Sequence, residues 1–142
     1  MFLGEYQHSL DAKGRVILPA RFRDQLEGGA VMARGLDGCL DVYPPAEFQR
    51  RASEVSEARK RGPRERQAAR SFFSGAGPAV PDGQGRVAIP PHLREYAALD
   101  REVVVTGAFD HIEIWNAEAF SQRDQEGSAS ILDGEGIDDF GM

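Results

Sequence analysis

Asp11-Ala12-Lys13-Gly14-Arg15-Val16-Ile17-Leu18-Pro19-Ala20-Arg21-Phe22-Arg23 returns as Asp82-Gly83-Gln84-Gly85-Arg86-Val87-Ala88-Ile89-Pro90-Pro91-His92-Leu93-Arg94, at a constant offset of 71 residues. The aspartate, second glycine, arginine, valine, proline and final arginine recur in register. One inserted residue later the similarity resumes at an offset of 72, pairing Gly35 with Gly107, Leu40-Asp41-Val42-Tyr43 with Ile112-Glu113-Ile114-Trp115, and Phe48 with Phe120. Self-similarity at a fixed period marks a tandem duplication. The two copies flank a basic connector.

Each copy reads the same way. A strand, near Glu5 to Leu10 in the first copy, runs into an Asp-x-x-Gly-Arg turn. There glycine permits positive φ and the aspartate accepts hydrogen bonds from nearby amides. A β-branched run follows and a proline ends it, suited in turn to the first turn of a short helix. Phe22 and Leu26, or Leu93, Tyr96 and Ala97, form the apolar stripe of that helix. Two more strands follow, around 30–33 and 39–43 in copy one and 103–106 and 111–115 in copy two. A unit of about 45 residues buries too little surface to fold well alone, so two copies sharing one core is the economical solution. Pro78 and Pro81 confine the strand ahead of the second turn to a short, bulged or edge position.

The resulting expectation is a mainly β fold with short helices, divided into repeat one at 5–48, a basic helical connector at 49–75, repeat two at 76–120 and an acidic, disordered tail at 121–142. A helix that begins near Pro44-Pro45, with Phe48, Ala52 and Val55 on one face, continues into the connector, and Arg64 to Phe73 reads as a second helical piece ended by Ser74-Gly75-Ala76-Gly77. The tail is glycine-rich, acidic and poor in apolar residues.

The chain has 142 residues, 41% hydrophobic and 28% charged, with a net charge of −6. That total hides an asymmetry: residues 121–142 carry −5, residues 1–120 only −1, and Arg50 to Arg70 carry +5. No apolar run approaches the ~18 residues of a membrane span, and a cytoplasmic location is expected. Cys39 is the single cysteine and sits in an apolar stretch, which reads as a packed, inert thiol. His8, His92 and His111 lack metal-ligand spacing and read as surface or packing residues. No metal, cofactor or small-molecule substrate is implied.

The doubled turn carries the chemistry. Arg15 and Arg86 are either partners of Asp11 and Asp82 in a purely structural cap, or planar forks that reach guanine edges or phosphate while the aspartates orient them. Around the first turn Lys13, Arg15, Arg21 and Arg23 cluster; around the second stand Arg86 and Arg94, with Gln84 where copy one has Lys13. Unequal DNA contacts are therefore expected, from Asp11, Lys13, Arg15, Arg21, Arg23, Asp82, Gln84 and Arg86. The basic segment 50–70 reads as a solvated helix laced with Glu54, Glu57 and Glu65, with a second phosphate contact as the alternative. Gly83-x-Gly85-x-x-Ala88 has the spacing of a dinucleotide loop but lacks the following helix start that such a loop requires. Nothing in the chain reads as an enzyme site.

The opening Met1-Phe2-Leu3-Gly4-Glu5-Tyr6-Gln7-His8-Ser9-Leu10-Asp11-Ala12-Lys13-Gly14-Arg15, together with Gln84-Gly85-Arg86 and Leu93-Arg94-Glu95-Tyr96, closely resembles the MraZ family of bacterial regulators of the division and cell-wall gene cluster. The likeness spans roughly residues 1–120. It implies a SpoVT-AbrB-like swapped-hairpin β-barrel in which both repeats of one chain form the unit that simpler relatives make by dimerising. It also implies ring-like homo-oligomers in the cytoplasm, associated with the nucleoid, that bind short direct repeats in promoter DNA and repress their own operon. The family's Asp-x-x-x-Arg motif falls on Asp11/Arg15 and Asp82/Arg86. An antitoxin that neutralises a toxin through its acidic tail, and a scaffold with purely structural arginine turns, remain as rival readings.

Overall fold

A computed structural model describes residues 1–134. The first repeat contributes β1 (Glu5–Ser9), β2 (Arg15–Ile17), the short α1 (Ala20–Arg23), β3 (Val31–Arg34) and β4 (Leu40–Tyr43). Two helices follow, α2 (Pro45–Ala58) and α3 (Pro63–Gly75). The second repeat supplies β5 (Gly77–Pro78), β6 (Arg86–Ala88), α4 (Pro91–Tyr96), β7 (Glu102–Gly107) and β8 (Ile112–Asn116), and α5 (Ala117–Asp133) ends the described chain.

The two repeats interlock. The larger sheet has the order β1-β7-β8-β4-β3-β5, so the leading strand of each repeat pairs with the hairpin of the other: β1 with β7, and β5 with β3. The second sheet is β2 against β6, again one strand from each repeat. Swapping lets both copies fill one core. Val16, Leu18, Phe22, Met32, Leu40 and Val42 of the first repeat pack with Val87, Ile89, Leu93, Val105, Ile112 and Ile114 of the second, all fully or almost fully buried. Phe22 also meets Phe2 and Tyr6 edge-on. Burial of large apolar side chains contributes about 1.5–3 kcal/mol each, and here it is available only when both repeats are present.

Two expectations about the architecture are corrected. The chain is mixed rather than mainly β, with 47% helix and 25% strand, and the antiparallel sheet is not closed into a barrel. The strands are only two to six residues long, whereas the connector and the C-terminal segment are long enough for three substantial helices. The edge strand β5 is two residues long and includes Pro78, which lacks a ladder donor.

The expected disorder of 121–142 is also corrected as far as the described residues reach: α5 runs through this segment to Asp133, and 135–142 lie outside the described residues. Asn116 starts it, its side-chain oxygen accepting a hydrogen bond from the Ala119 amide at 3.0 Å. Ala117, Ala119 and Phe120 anchor the first turn against Cys39, Val104 and Trp115, and Gly134, at φ 78°, ends the helix. Acidic composition concealed an N-cap and an apolar anchor. Tyr96, expected on the apolar stripe, is instead 41% exposed and donates its hydroxyl to the Gly35 carbonyl at 2.7 Å.

On the outer face of the large sheet, α2 and α3 form a hairpin over Ala33 and Tyr43, closed by Phe48, Val55 and Phe72. Phe48 stacks on Phe72 with ring centres 5.9 Å apart. The pseudo-equivalent pair Tyr43 and Trp115 is buried in two neighbouring clusters of that face.

Candidate nucleic-acid interface

Each Asp-x-x-Gly-Arg turn is held by one aspartate. Asp11 Oδ1 accepts the amides of Lys13 and Arg15, both at 2.9 Å, while Oδ2 accepts Arg15 Nε at 2.7 Å. Asp82 repeats this with the amides of Gln84 and Arg86 at 2.9 Å and Arg86 Nε at 2.9 Å. In each turn a backbone bond from the glycine amide to the aspartate carbonyl closes the loop. The amide bond from the arginine is the chief cause that lowers both carboxyl pKa values, so Asp11 and Asp82 remain ionised at neutral pH.

The aspartates hold only Nε. Among the described residues neither Arg15 nor Arg86 uses its Nη groups in a hydrogen bond or ion pair, so each guanidinium is oriented at its base and open at its fork. The ribbon of β2 and β6 sets their mutual position: Arg15 lies opposite Ala88, Val16 opposite Val87, and Ile17 opposite Arg86. Because side chains alternate along a strand, buried Val16 and Val87 point inward while Arg15, Ile17, Arg86 and Ala88 share the outward face. The two arginines are diagonal neighbours, for which the spacing is about 7–8 Å. Ile17, 46% exposed, lies beside them on the same face.

A family model described as "MraZ protein, putative antitoxin-like" matches residues 1–71 and again 72–135. The chain belongs to the MraZ family. The double match divides the chain within α3, and each half bears one aspartate-arginine turn. "Transcriptional regulator MraZ" of Salinispora arenicola (strain CNS-205) is 47% identical over 137 residues, covering 94% of this chain and 96% of the relative. The MraZ regulator of Heliobacterium modesticaldum (strain ATCC 51547 / Ice1) is 46% identical, covering 92% and 91%. That of Kineococcus radiotolerans (strain ATCC BAA-149 / DSM 14245 / SRS30216) is 50% identical over 116 residues, covering 82% and 81%. These relatives are named as regulators of transcription and not as enzymes.

The other residues singled out from the sequence divide in this MraZ chain. Lys13 and Gln84 occupy matching exposed positions inside the two turns. Arg21 is exposed on α1. Arg23 is half-buried and crosses to the other repeat, its Nη1 donating to the Gln84 carbonyl at 3.4 Å beside Gly85. Its counterpart Arg94 lies against Gly14 and donates to the Ile89 carbonyl at 2.7 Å. Arg23 is thus a clasp of the opposite turn, and Arg94 performs the same task. Reciprocal backbone bonds reinforce the clasps, from the Leu18 amide to the Gly85 carbonyl at 2.9 Å and from the Ile89 amide to the Gly14 carbonyl at 3.0 Å.

A partly buried polar cluster on the outer sheet face was not anticipated. His111 Nδ1 donates to Asp110 at 2.6 Å, and its Nε2 lies 3.4 Å from Asp41 and 3.6 Å from Glu113. Asp41 is 6% exposed and accepts the Tyr43 hydroxyl at 2.9 Å, and Glu113 accepts the Trp115 indole at 2.9 Å. Burial opposes the charging of His111, but the hydrogen bonds to Asp41, Glu113 and Asp110 outweigh it and push the pKa up to about 10. Cys39 is buried beside Asp41, and desolvation raises its thiol pKa, in keeping with an inert thiol. The alternating pattern of β4 gave no sign that Asp41 faces a covered surface, because the helices that cover it come from the connector.

Proposed function

We propose that the chain is a DNA-binding transcriptional regulator that reads promoter DNA with the β2–β6 ribbon. The observation that carries the reading is the pair Arg15 and Arg86: both on the outward face of one ribbon, both held at Nε by an ionised aspartate, and both open at Nη. A two-stranded ribbon fits the major groove, and an oriented guanidinium fork matches the O6/N7 edge of guanine or a phosphate. Lys13 and Arg21 add phosphate contacts beside the first turn, and Gln84 offers a neutral contact beside the second. A purely structural cap would not need two arginine forks free of protein partners, which disfavours the scaffold reading.

One copy presents one ribbon, so a single site is bound weakly. Several copies linked in a ring and engaging short direct repeats gain affinity by raising the local concentration of the remaining ribbons. The assembly acts in the nucleoid, covers the promoter of its own division and cell-wall operon, and represses it.

The test is fluorescence anisotropy on the DNA upstream of the chain's own operon, across a salt series, with wild type and the Arg15→Ala/Arg86→Ala variant. Binding by wild type with a steep salt slope, lost in a variant of unchanged circular dichroism, supports the reading. Equal binding by both proteins, or by neither, overturns it. Copurification of a small toxic protein with a chain that ignores DNA would favour the antitoxin reading instead.

A further inference from the structure

The β2–β6 ribbon is close to two-fold symmetric, because two copies of one strand pair antiparallel. Rotation about its centre exchanges Val16 with Val87, Arg15 with Arg86, and Ile17 with Ala88. The valines and the arginines are identical across that axis. The third pair is not: the first copy puts a large β-branched side chain where the second has a single methyl. Unlike Val16 and Val87, Ile17 belongs to no core cluster among the described residues and is 46% exposed on the outward face.

Lone exposed aliphatic residues are ordinary on protein surfaces. Ile17 is set apart by its neighbours. Arg86 stands directly opposite it, in a cross-strand position where Cβ atoms are about 4.5–5.5 Å apart. Arg15 lies two residues back on the same face, about 7 Å along the strand. Both guanidinium forks are open. The core of a protein–protein contact is depleted of charged residues, so an apolar group set between two open forks makes a poor seat for another protein. The major groove of DNA offers partners for all three side chains. Its base edges present hydrogen-bond donors and acceptors with one apolar exception, the C5-methyl group of thymine. A β-branched side chain is also stiff at χ1, so little rotamer freedom is lost on contact.

We propose that Ile17 reads the methyl group of a thymine close to the base pair engaged by Arg86, and so gives the ribbon a direction on DNA. Successive bases of one strand are about 3.4 Å apart, so the distance across the ribbon from Arg86 to Ile17 spans one to two base steps. Ala88 offers only one methyl beside Arg15 and makes the corresponding contact weakly. A subunit turned end for end would lay Ile17 against other bases and lose the contact. The inference rests on the reading of the ribbon proposed above and names a further determinant of its sequence preference: the arginines select guanine or phosphate, and Ile17 selects thymine.

The test is anisotropy with the full-length chain on two forms of the DNA upstream of its operon, one natural and one synthesised with uracil for every thymine. Uracil keeps the hydrogen-bonding groups of thymine and lacks only the methyl. Wild type should bind the uracil DNA more weakly by a factor of about four or more, the factor that burying one methyl group is worth. Ile17→Ala, which places at 17 the residue that the matching strand carries at 88, should bind natural DNA more weakly than wild type by a similar factor. It should bind the two DNAs alike, with the salt slope of wild type, because no phosphate contact has changed. Each protein is compared with itself on the two DNAs, so a partial loss of fold weakens both and cancels. Equal binding of both DNAs by wild type overturns the proposal. So does an Ile17→Ala protein that keeps the full uracil penalty, since the penalty then comes from the shape of the DNA. Wild type that binds natural DNA and is indifferent to uracil, with binding lost in Arg15→Ala/Arg86→Ala, sinks only the Ile17 contact. Arg15→Ala/Arg86→Ala binding as wild type does sinks the ribbon reading and the contact with it.

Discussion

The guanidinium of Arg23, in the first repeat, covers Gly85 in the turn of the second, and Arg94 covers Gly14 in return. Each turn is thus shaped by its own aspartate and clamped by an arginine from the other repeat. Gly85 has φ 81° and Gly14 φ 74°, and a Cβ at either would run into the clamping guanidinium. Gly85→Ala should cost about 1–2 kcal/mol, from the left-handed backbone and from the displaced clamp. Urea denaturation of Gly85→Ala, Arg23→Ala and the double variant measures this. Arg23→Ala should cost clearly less in the Gly85→Ala background than in wild type, and strict additivity would show that the two residues are uncoupled.

On the proposed reading, in which the arginine forks contact DNA, the aspartates act only through the arginines. Asp11→Asn and Asp82→Asn keep an oxygen for the turn amides but place an amide N–H₂ against Arg Nε. Because these ion pairs are partly exposed and screened by solvent, stability should fall by under about 1 kcal/mol. DNA affinity should fall about tenfold for each, equivalent to about 1.4 kcal/mol. Anisotropy beside thermal denaturation checks both arms; unchanged affinity would mean that the forks need no orientation.

The two turns differ at one exposed position, Lys13 against Gln84. Gln84→Lys should add one phosphate contact, steepening the slope of log K against log salt by about 0.9. Gln84→Ala should leave that slope unchanged. A Gln84→Lys protein with the wild-type slope would place position 84 away from the backbone.

His111 makes stability depend on alkaline pH. Its neighbours are Asp41 and Glu113 from the sheet, Asp110 in the adjoining turn with Arg50 of α2 beyond it, Cys39 beside Asp41, and the stacked ring of Tyr43. The pKa is raised in the folded state, from 6.5 to about 10. The contribution is therefore fully present below about pH 6.5 and is lost as pH rises towards 10, with a slope of up to about 1.4 kcal/mol per pH unit for this one proton. Guanidinium denaturation from pH 6 to 10 should show that decline in wild type and a shallower one in His111→Gln. Equal slopes would show that the imidazole titrates alike in both states.

The sequence by itself determined the duplication, the positions of the two turns, and the residues that build them. Asp11, Gly14 and Arg15 interact within five residues, and local hydrogen bonding leaves a fixed spacing that recurs at Asp82, Gly85 and Arg86. Pro78 likewise announced a curtailed strand, because a missing amide donor acts wherever the strand lies. Tertiary structure decided what depends on distant partners. That Arg15 and Arg86 share one face follows from β2 pairing with β6, 71 residues on. Arg23 read as a DNA contact because its own neighbourhood is basic, whereas its guanidinium closes on a turn at Gln84, 61 residues away in the chain. The open sheet, the helical course of 117–133 and the burial of Asp41 were equally out of reach of periodicity, since each rests on a long-range surface: β3 against β5, the first turn of α5 against Cys39 and Val104, and the α2–α3 hairpin over β4.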